Sequence, residues 1–216
     1  MFDWDYARSI MPAMVSALGV TARATVAGFL LAAGLGLLIA VGRLSRVPFI
    51  KRVLGGFVEF VRSTPLLVQL YFLFYVLPHY GLTLSPLAAG IVGLGLHYST
   101  YLSEVYRAGI ESVARGQWEA ALALDFSPLQ TWTRIILPQA VPPIVPVLGN
   151  YLILMFKETP LLSAITVVEL LQTAKIIGAG SFRYLEPFTL VGLLFLLLSY
   201  PSALLVRALE RRWARP

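Results

Sequence analysis

The chain has 216 residues, of which 58% are hydrophobic and only 13% charged, with a net charge of +6 and a mean hydropathy of +0.78. About 25% charged residues is usual for a soluble domain, so the composition excludes a disordered chain and argues against an ordinary soluble one. With no cysteine, disulfides, thiol nucleophiles and cysteine-ligated metals are excluded as well.

Charge-free stretches cover Ala24–Gly42, Ser63–Ser103, Ile135–Phe156 and Pro187–Val206, of 19, 41, 22 and 20 residues. A helix needs about 20 apolar residues to cross a bilayer, so an all-α integral membrane protein is expected, one transmembrane domain over residues 1–216. Met1–Ser9 carries Asp3, Asp5 and Arg8 instead of a basic leader, and the first span is expected to stay.

Five transmembrane helices are predicted in chain order: Ala13–Val41, interrupted by Arg23, then Gly55–Leu77, Pro86–Ala108, Ala140–Lys157 and Pro187–Leu209. Pro78-His79-Tyr80-Gly81 is turn chemistry that divides the longest charge-free run between two helices. Arg43, Arg46, Lys51 and Arg52 follow the first span. Arg107 ends the third, with Arg115 and Arg134 beyond it, and Arg207, Arg211, Arg212 and Arg215 close the chain. Basic residues collect in cytoplasmic loops. All these loops share one face if the N-terminus is outside and the C-terminus inside, as an odd number of spans requires. The positive charge is therefore an orientation signal and not a nucleic-acid footprint, and Trp213 reads as an anchor at the lipid interface.

Several polar groups fall inside or beside the spans. Thr64 and Gln69 flank Pro65, which breaks a helix and frees a backbone carbonyl; broken helices mark transport sites. His97, Tyr101 and Glu104 share one face at i, i+4 and i, i+7 spacing. Glu104 reads either as a pathway group or as the partner of Arg107 or Arg62. Lys157 and Glu158 place opposite charges side by side, apt for a zwitterion, or else screen each other at the surface. Thr64-Pro65-Leu66-Leu67 recurs as Thr159-Pro160-Leu161-Leu162, and Thr159–Val168, too short to span, is expected as a re-entrant or surface helix meeting a soluble partner. Two histidines eighteen positions apart are a poor ligand set, so no metal and no cofactor are expected.

The largest predicted cytoplasmic loop, residues 109–139, is not floppy. Gln117–Leu124 is rich in strong helix formers, Asp125-Phe126-Ser127-Pro128 is a turn, and Leu129, Trp132, Ile135 and Ile136 recur at helical spacing until Pro138 ends the run. Such a helical hairpin suits either a soluble partner or the membrane surface.

Glu119-Ala120-Ala121, Asp125, Ile135 and Leu137-Pro138 resemble the EAA loop of ABC-importer permeases at its characteristic spacing, with Asp125 in the glycine position. Aspartate is among the residues that best tolerate the positive φ a glycine there supplies. Phe60–Gln69, Tyr101–Gln117, Leu137–Ala140 with Pro146 and Asn150, and Lys157–Leu161 are similar to motifs of the polar amino acid branch, and the length and opening residues resemble its permeases for ectoine, a zwitterionic compatible solute. The resemblance implies a multi-pass protein of the bacterial inner membrane, surrounded by lipid. It implies a pore of two permease subunits, identical or paralogous, with separate ATPase subunits docked on the loop and an extracytoplasmic solute-binding protein. Glu119, Ala120, Ala121, Asp125, Arg134, Leu137 and Pro138 are then the ATPase-coupling residues, with Arg134 facing either Asp125 or the ATPase. Thr64, Gln69, His97, Tyr101, Glu104, Lys157 and Glu158 are the substrate-pathway candidates. No Gly-x-x-x-x-Gly-Lys-Ser/Thr occurs in the chain, consistent with a transport subunit that is not itself an enzyme. The competing expectation is a self-sufficient secondary transporter, against which five spans and no inverted repeat argue.

Overall fold

The structure is a computed structural model that describes residues 2–45 and 47–213, with side chains through Arg211. Arg46, Arg215 and the side chains of Arg212 and Trp213, assigned above to orientation and anchoring, lie outside the described residues.

Every regular element among the described residues is helical. Helix α1 (Trp4–Leu44) starts well before Ala13, because the Asp3 carboxylate accepts from the backbone N–H of Asp5 and Tyr6 and caps it. Then come α2 (Pro48–Arg62) and α3 (Leu66–Tyr71), the latter prolonged by a π turn (Phe72–Val76) and a 3-10 turn (Leu77–Tyr80). Helix α4 is Pro86–Glu111, α5 is Arg115–Ala123 and α6 is Pro128–Gln130, which a π turn (Thr131–Ile136) joins to α7 (Leu137–Glu158). A 3-10 turn (Thr159–Ile165), α8 (Leu170–Ser181) and α9 (Leu185–Trp213) complete the chain.

The expected second span is not one helix. The α2 axis and the segment Leu66–Tyr80 meet at 101°. Pro65 is extended, at φ −63° and ψ 139°, and a proline also disfavours helical geometry in the residue before it. Trp4–Leu44, Pro128–Ile165 and Leu185–Arg211 are long and apolar enough to cross a membrane, and the bent pair would make a fourth. Helix α4, the expected third span, falls short on hydropathy.

The reason is that α4 is the central helix. Ala89, Leu94 and Leu102 are fully enclosed, and its polar stretch from His97 to Ser103 faces protein. The buried hydroxyls of Ser99, Thr100 and Ser103 each donate to a carbonyl three residues back at 2.7 Å, so none of these three is left orphaned. Small residues let α1 and α4 approach closely. A Cβ on Gly36 would lie 2.9 Å from the Ser99 carbonyl oxygen, and one on Gly28 3.1 Å from the Leu94 Cβ.

Two further expectations change. Pro138 does not end the loop helix. Because the Leu137 N–H reaches the Trp132 carbonyl through the π turn, the missing donor and the ring of Pro138 fall where the helical register is already widened. The loop therefore runs unbroken into α7. Of the two readings of Thr159–Val168, the surface helix is excluded, since Thr159, Leu162 and Ile165 are completely buried, the latter two in the main core.

At the opposite end, the Arg183 guanidinium bonds Asp3 at 3.1 Å and Glu186 at 2.9 Å and lies 4.2 Å above the Tyr6 ring. This clasp ties the start of α1 to the α8–α9 turn.

Candidate functional site

A cavity of about 450 Å³ opens at the break between α2 and α3. Arg62 and Thr64 reach it from the break, His97 and Tyr101 from α4, and Glu158 from the end of α7. Both copies of the Thr-Pro-Leu-Leu sequence adjoin it, the first through Thr64–Leu67 and the second through Leu161. Each copy marks a place where a helix is interrupted, which exposes backbone and side-chain polar groups inside the bundle.

Gln69 repairs the break. Its amide nitrogen lies 2.8 Å from the Val61 carbonyl, 3.2 Å from the Thr64 carbonyl and 2.7 Å from the Thr64 hydroxyl. The Val61 carbonyl has lost the N–H four residues on, because that residue is Pro65, and keeps a backbone contact only from the Thr64 N–H at 3.3 Å. The Gln69 carbonyl oxygen faces His97 Nδ1 at 3.2 Å; with the amide nitrogen spent on acceptors, Nδ1–H donates and Nε2 is the free lone pair.

Glu158 accepts from the Tyr98 hydroxyl at 2.7 Å. Tyr98, Tyr101 and Tyr151 form a triangle of rings with centroids 6.0 to 6.2 Å apart. The Arg62 guanidinium lies 5.0 Å from the Tyr101 centroid, within cation–π range. The cavity thus offers a planar cation suited to a carboxylate, and a carboxylate with aromatic faces suited to an ammonium.

Four of the seven pathway candidates line the cavity, Thr64, His97, Tyr101 and Glu158, and Gln69 stands behind it, bonded to Thr64 and His97. Lys157 is exposed and does not line the cavity. Glu104 is held elsewhere, by Arg43 and Arg107. Tyr98, Tyr151 and the role of Arg62 are absent from the sequence-based set. Tyr151 and Glu158 do share a helix face at i, i+7 spacing, a signal that could have paired them.

The loop of residues 109–139 forms a two-helix hairpin. Asp125 has φ 55°, the left-handed geometry foreseen for the glycine position. The Phe126 N–H bonds the Ala121 carbonyl and the Asp125 N–H the Leu122 carbonyl, both at 3.0 Å, closing α5 with a Schellman turn. Ser127 and Gln130 then form a reciprocal capping box that opens α6. Trp118 and Trp132 stack edge to face at 5.3 Å and clamp the two arms. Ala121 is buried, whereas Glu119 and Ala120 face outward and Arg115 reaches Glu119 at 3.4 Å. Arg134, Leu137 and Pro138 are exposed, and among the described residues Arg134 makes no ion pair with Asp125. Leu122, Leu124 and Leu129 are 80%, 67% and 73% exposed, an apolar display that water does not favour and a docked partner would cover.

The sequence matches the family described as binding-protein-dependent transport system inner membrane component over residues 32–215. The chain belongs to this family. It is 44% identical to a probable amino-acid ABC transporter permease protein of Sinorhizobium fredii strain NGR234, over 97% of this chain and 94% of that one. It is 34% identical to the L-cystine transport system permease protein of Bacillus subtilis strain 168, over 98% and 93%. A solved amino acid ABC transporter, determined with histidines, superposes with a TM-score of 0.92 at 32% identity and covers 98% of this chain and 99% of its own. The chain is accordingly an integral membrane transport component of the amino-acid permease type. Its family works with a binding protein, and ATP hydrolysis belongs to separate chains.

Proposed function

We propose that this permease is the pore-forming subunit of an ATP-driven importer for polar amino acids or an ectoine-like zwitterionic solute. It sits in the bacterial inner membrane with five spans, the N-terminus outside and the C-terminus inside. Two permease chains form the pore, an extracytoplasmic binding protein delivers solute, and ATPase subunits grip the hairpin at Glu119, Ala120, Ala121, Asp125, Arg134, Leu137 and Pro138. Solute passes the group formed by Thr64, Gln69, His97, Tyr101 and Glu158. Glu104 and Lys157 are not given a solute contact.

The observation that carries this reading is the cavity, which brings Arg62 and Glu158 together within an otherwise charge-poor bundle. Opposite charges lining one small cavity favour a ligand that is itself dipolar, because each of its ends then meets a counter-charge. The branch similarity supports the amino-acid class, and the basic-residue distribution supports the orientation.

The test is import into proteoliposomes holding the permease with its ATPase and binding-protein partners. Labelled L-glutamine, L-cystine, L-histidine, L-arginine and ectoine are offered in turn. ATP-dependent uptake of one or more is expected. Uptake by the permease alone, without ATPase subunits, would establish the secondary transporter instead.

A further inference from the structure

Glu104 is the keystone of an ion-pair network away from the solute cavity. One of its carboxylate oxygens pairs with Arg43, the last basic residue of α1. The other accepts from Arg107 Nε at 3.0 Å and from its terminal nitrogen at 2.7 Å. The remaining arm of Arg107 holds Glu111 at 2.6 Å. The side chains of Glu104 and Arg43 are only 25% and 21% exposed, so water screens the pairing less than it would at an open surface.

The location gives the network its meaning. Toward the middle of the bundle, α1 and α4 touch through the Gly36 crossing, a contact of small groups with no directional bond. Toward the hairpin, α4 bears on α7 where Gly109 abuts Ile144. Val113, just beyond α4, shares a cluster with Ile136, Ala140 and Ile144, against which Trp118 and Trp132 pack. A push on the hairpin therefore reaches α4 by direct contact. Its passage from α4 to α1 at this level depends on Glu104, whose two oxygens are committed to cations on the two different helices.

We propose that Glu104 is a positioning residue for coupled transport: it fastens the basic end of α1 to α4 so that movement of the 109–139 hairpin displaces both helices as one body. The inference rests on the reading that this hairpin receives the ATPase. Packing along the seam, with Leu31 set against Gly95 and Gly36 against Ser99 and Leu102, holds the helices together without a directional bond, and the ion pairs add one at the basic end of α1.

The natural absence of cysteine makes a reversible test possible. In the reconstituted importer, Glu104→Gln is expected to lower uptake on the order of tenfold, while ATP hydrolysis continues and the ATPase still co-purifies. An Arg43→Cys/Glu104→Cys double variant is expected to show the same uncoupling. Bridging its two thiols with a short bis-methanethiosulfonate reagent is expected to restore uptake, and reductant to remove it again. A Glu104→Gln importer with normal uptake per ATP overturns the proposal, as does a bridged variant that stays inactive. Absence of ATP-dependent uptake in the unmodified assembly overturns the importer reading itself, and the fastening role with it.

Discussion

Single residues carry the chemistry here through what surrounds them. Glu158 is anchored by the Tyr98 hydroxyl, and hydrogen bonds to a charged group are worth about 1.5–3 kcal/mol. Glu158→Gln is expected to reduce uptake about tenfold to a hundredfold, most for solutes with a free ammonium, as initial-rate measurements on the solute panel would show. Asp125 illustrates a departure from a motif that geometry absorbs. Its left-handed backbone costs most side chains about 1–2 kcal/mol. Asp125→Gly is expected to keep or raise thermal stability, whereas Asp125→Val lowers it and weakens retention of the ATPase on affinity resin. That position was legible in the sequence, because motif spacing fixes where the chain must turn. Arg43 as partner of Glu104 was not, since the pairing spans 61 positions and no local periodicity encodes it.

At the scale of elements, sequence periodicity located the hairpin, the central helix and the Thr-Pro breaks. It misjudged continuity, because proline has opposite effects in different places. Pro65 separates two helices, while Pro138, Pro142, Pro143 and Pro146 sit within one continuous run. A π turn precedes Pro138 and none precedes Pro65, whereas Pro142, Pro143 and Pro146 are carried inside α7 without one. The α1–α4 crossing leads to a packing prediction. Gly36→Val forces side-chain atoms against the Ser99 carbonyl, and overpacking costs typically about 1–3 kcal/mol. A lower melting temperature in detergent is expected, with Gly34→Val, which meets open space, as the tolerant control. The clasp at the other end sets an acid limit. The Tyr6 N–H and then Arg183 hold the Asp3 carboxyl below its ordinary value of 3.8. Its stabilising contribution is thus complete above that value and is lost as pH falls through the lowered one. Melting curves of the wild type and Asp3→Asn are expected to differ at neutral pH and to converge under strong acid.

On the scale of the whole molecule, polarity is sorted inward as well as to the ends. Lipid-compatible residues clothe α1, α7 and α9, while α4 keeps its histidine, tyrosines and hydroxyls for the interior. If the hairpin is the motor contact, Glu119→Lys reverses charge on an exposed surface and leaves the fold intact. Loss of ATPase co-purification together with uptake, at an unchanged melting temperature, is expected; normal uptake in that variant would remove the coupling role. The inward polarity of α4 also bears on how the protein is made. A segment enters the bilayer unaided only when its own side chains favour lipid, and α4 falls short of that measure. Its polar face becomes tolerable in the hydrocarbon only once α1 covers it. The seam of Gly28 and Gly36 on α1, which precedes α4 in the chain, is then the surface expected to cover that face as α4 inserts.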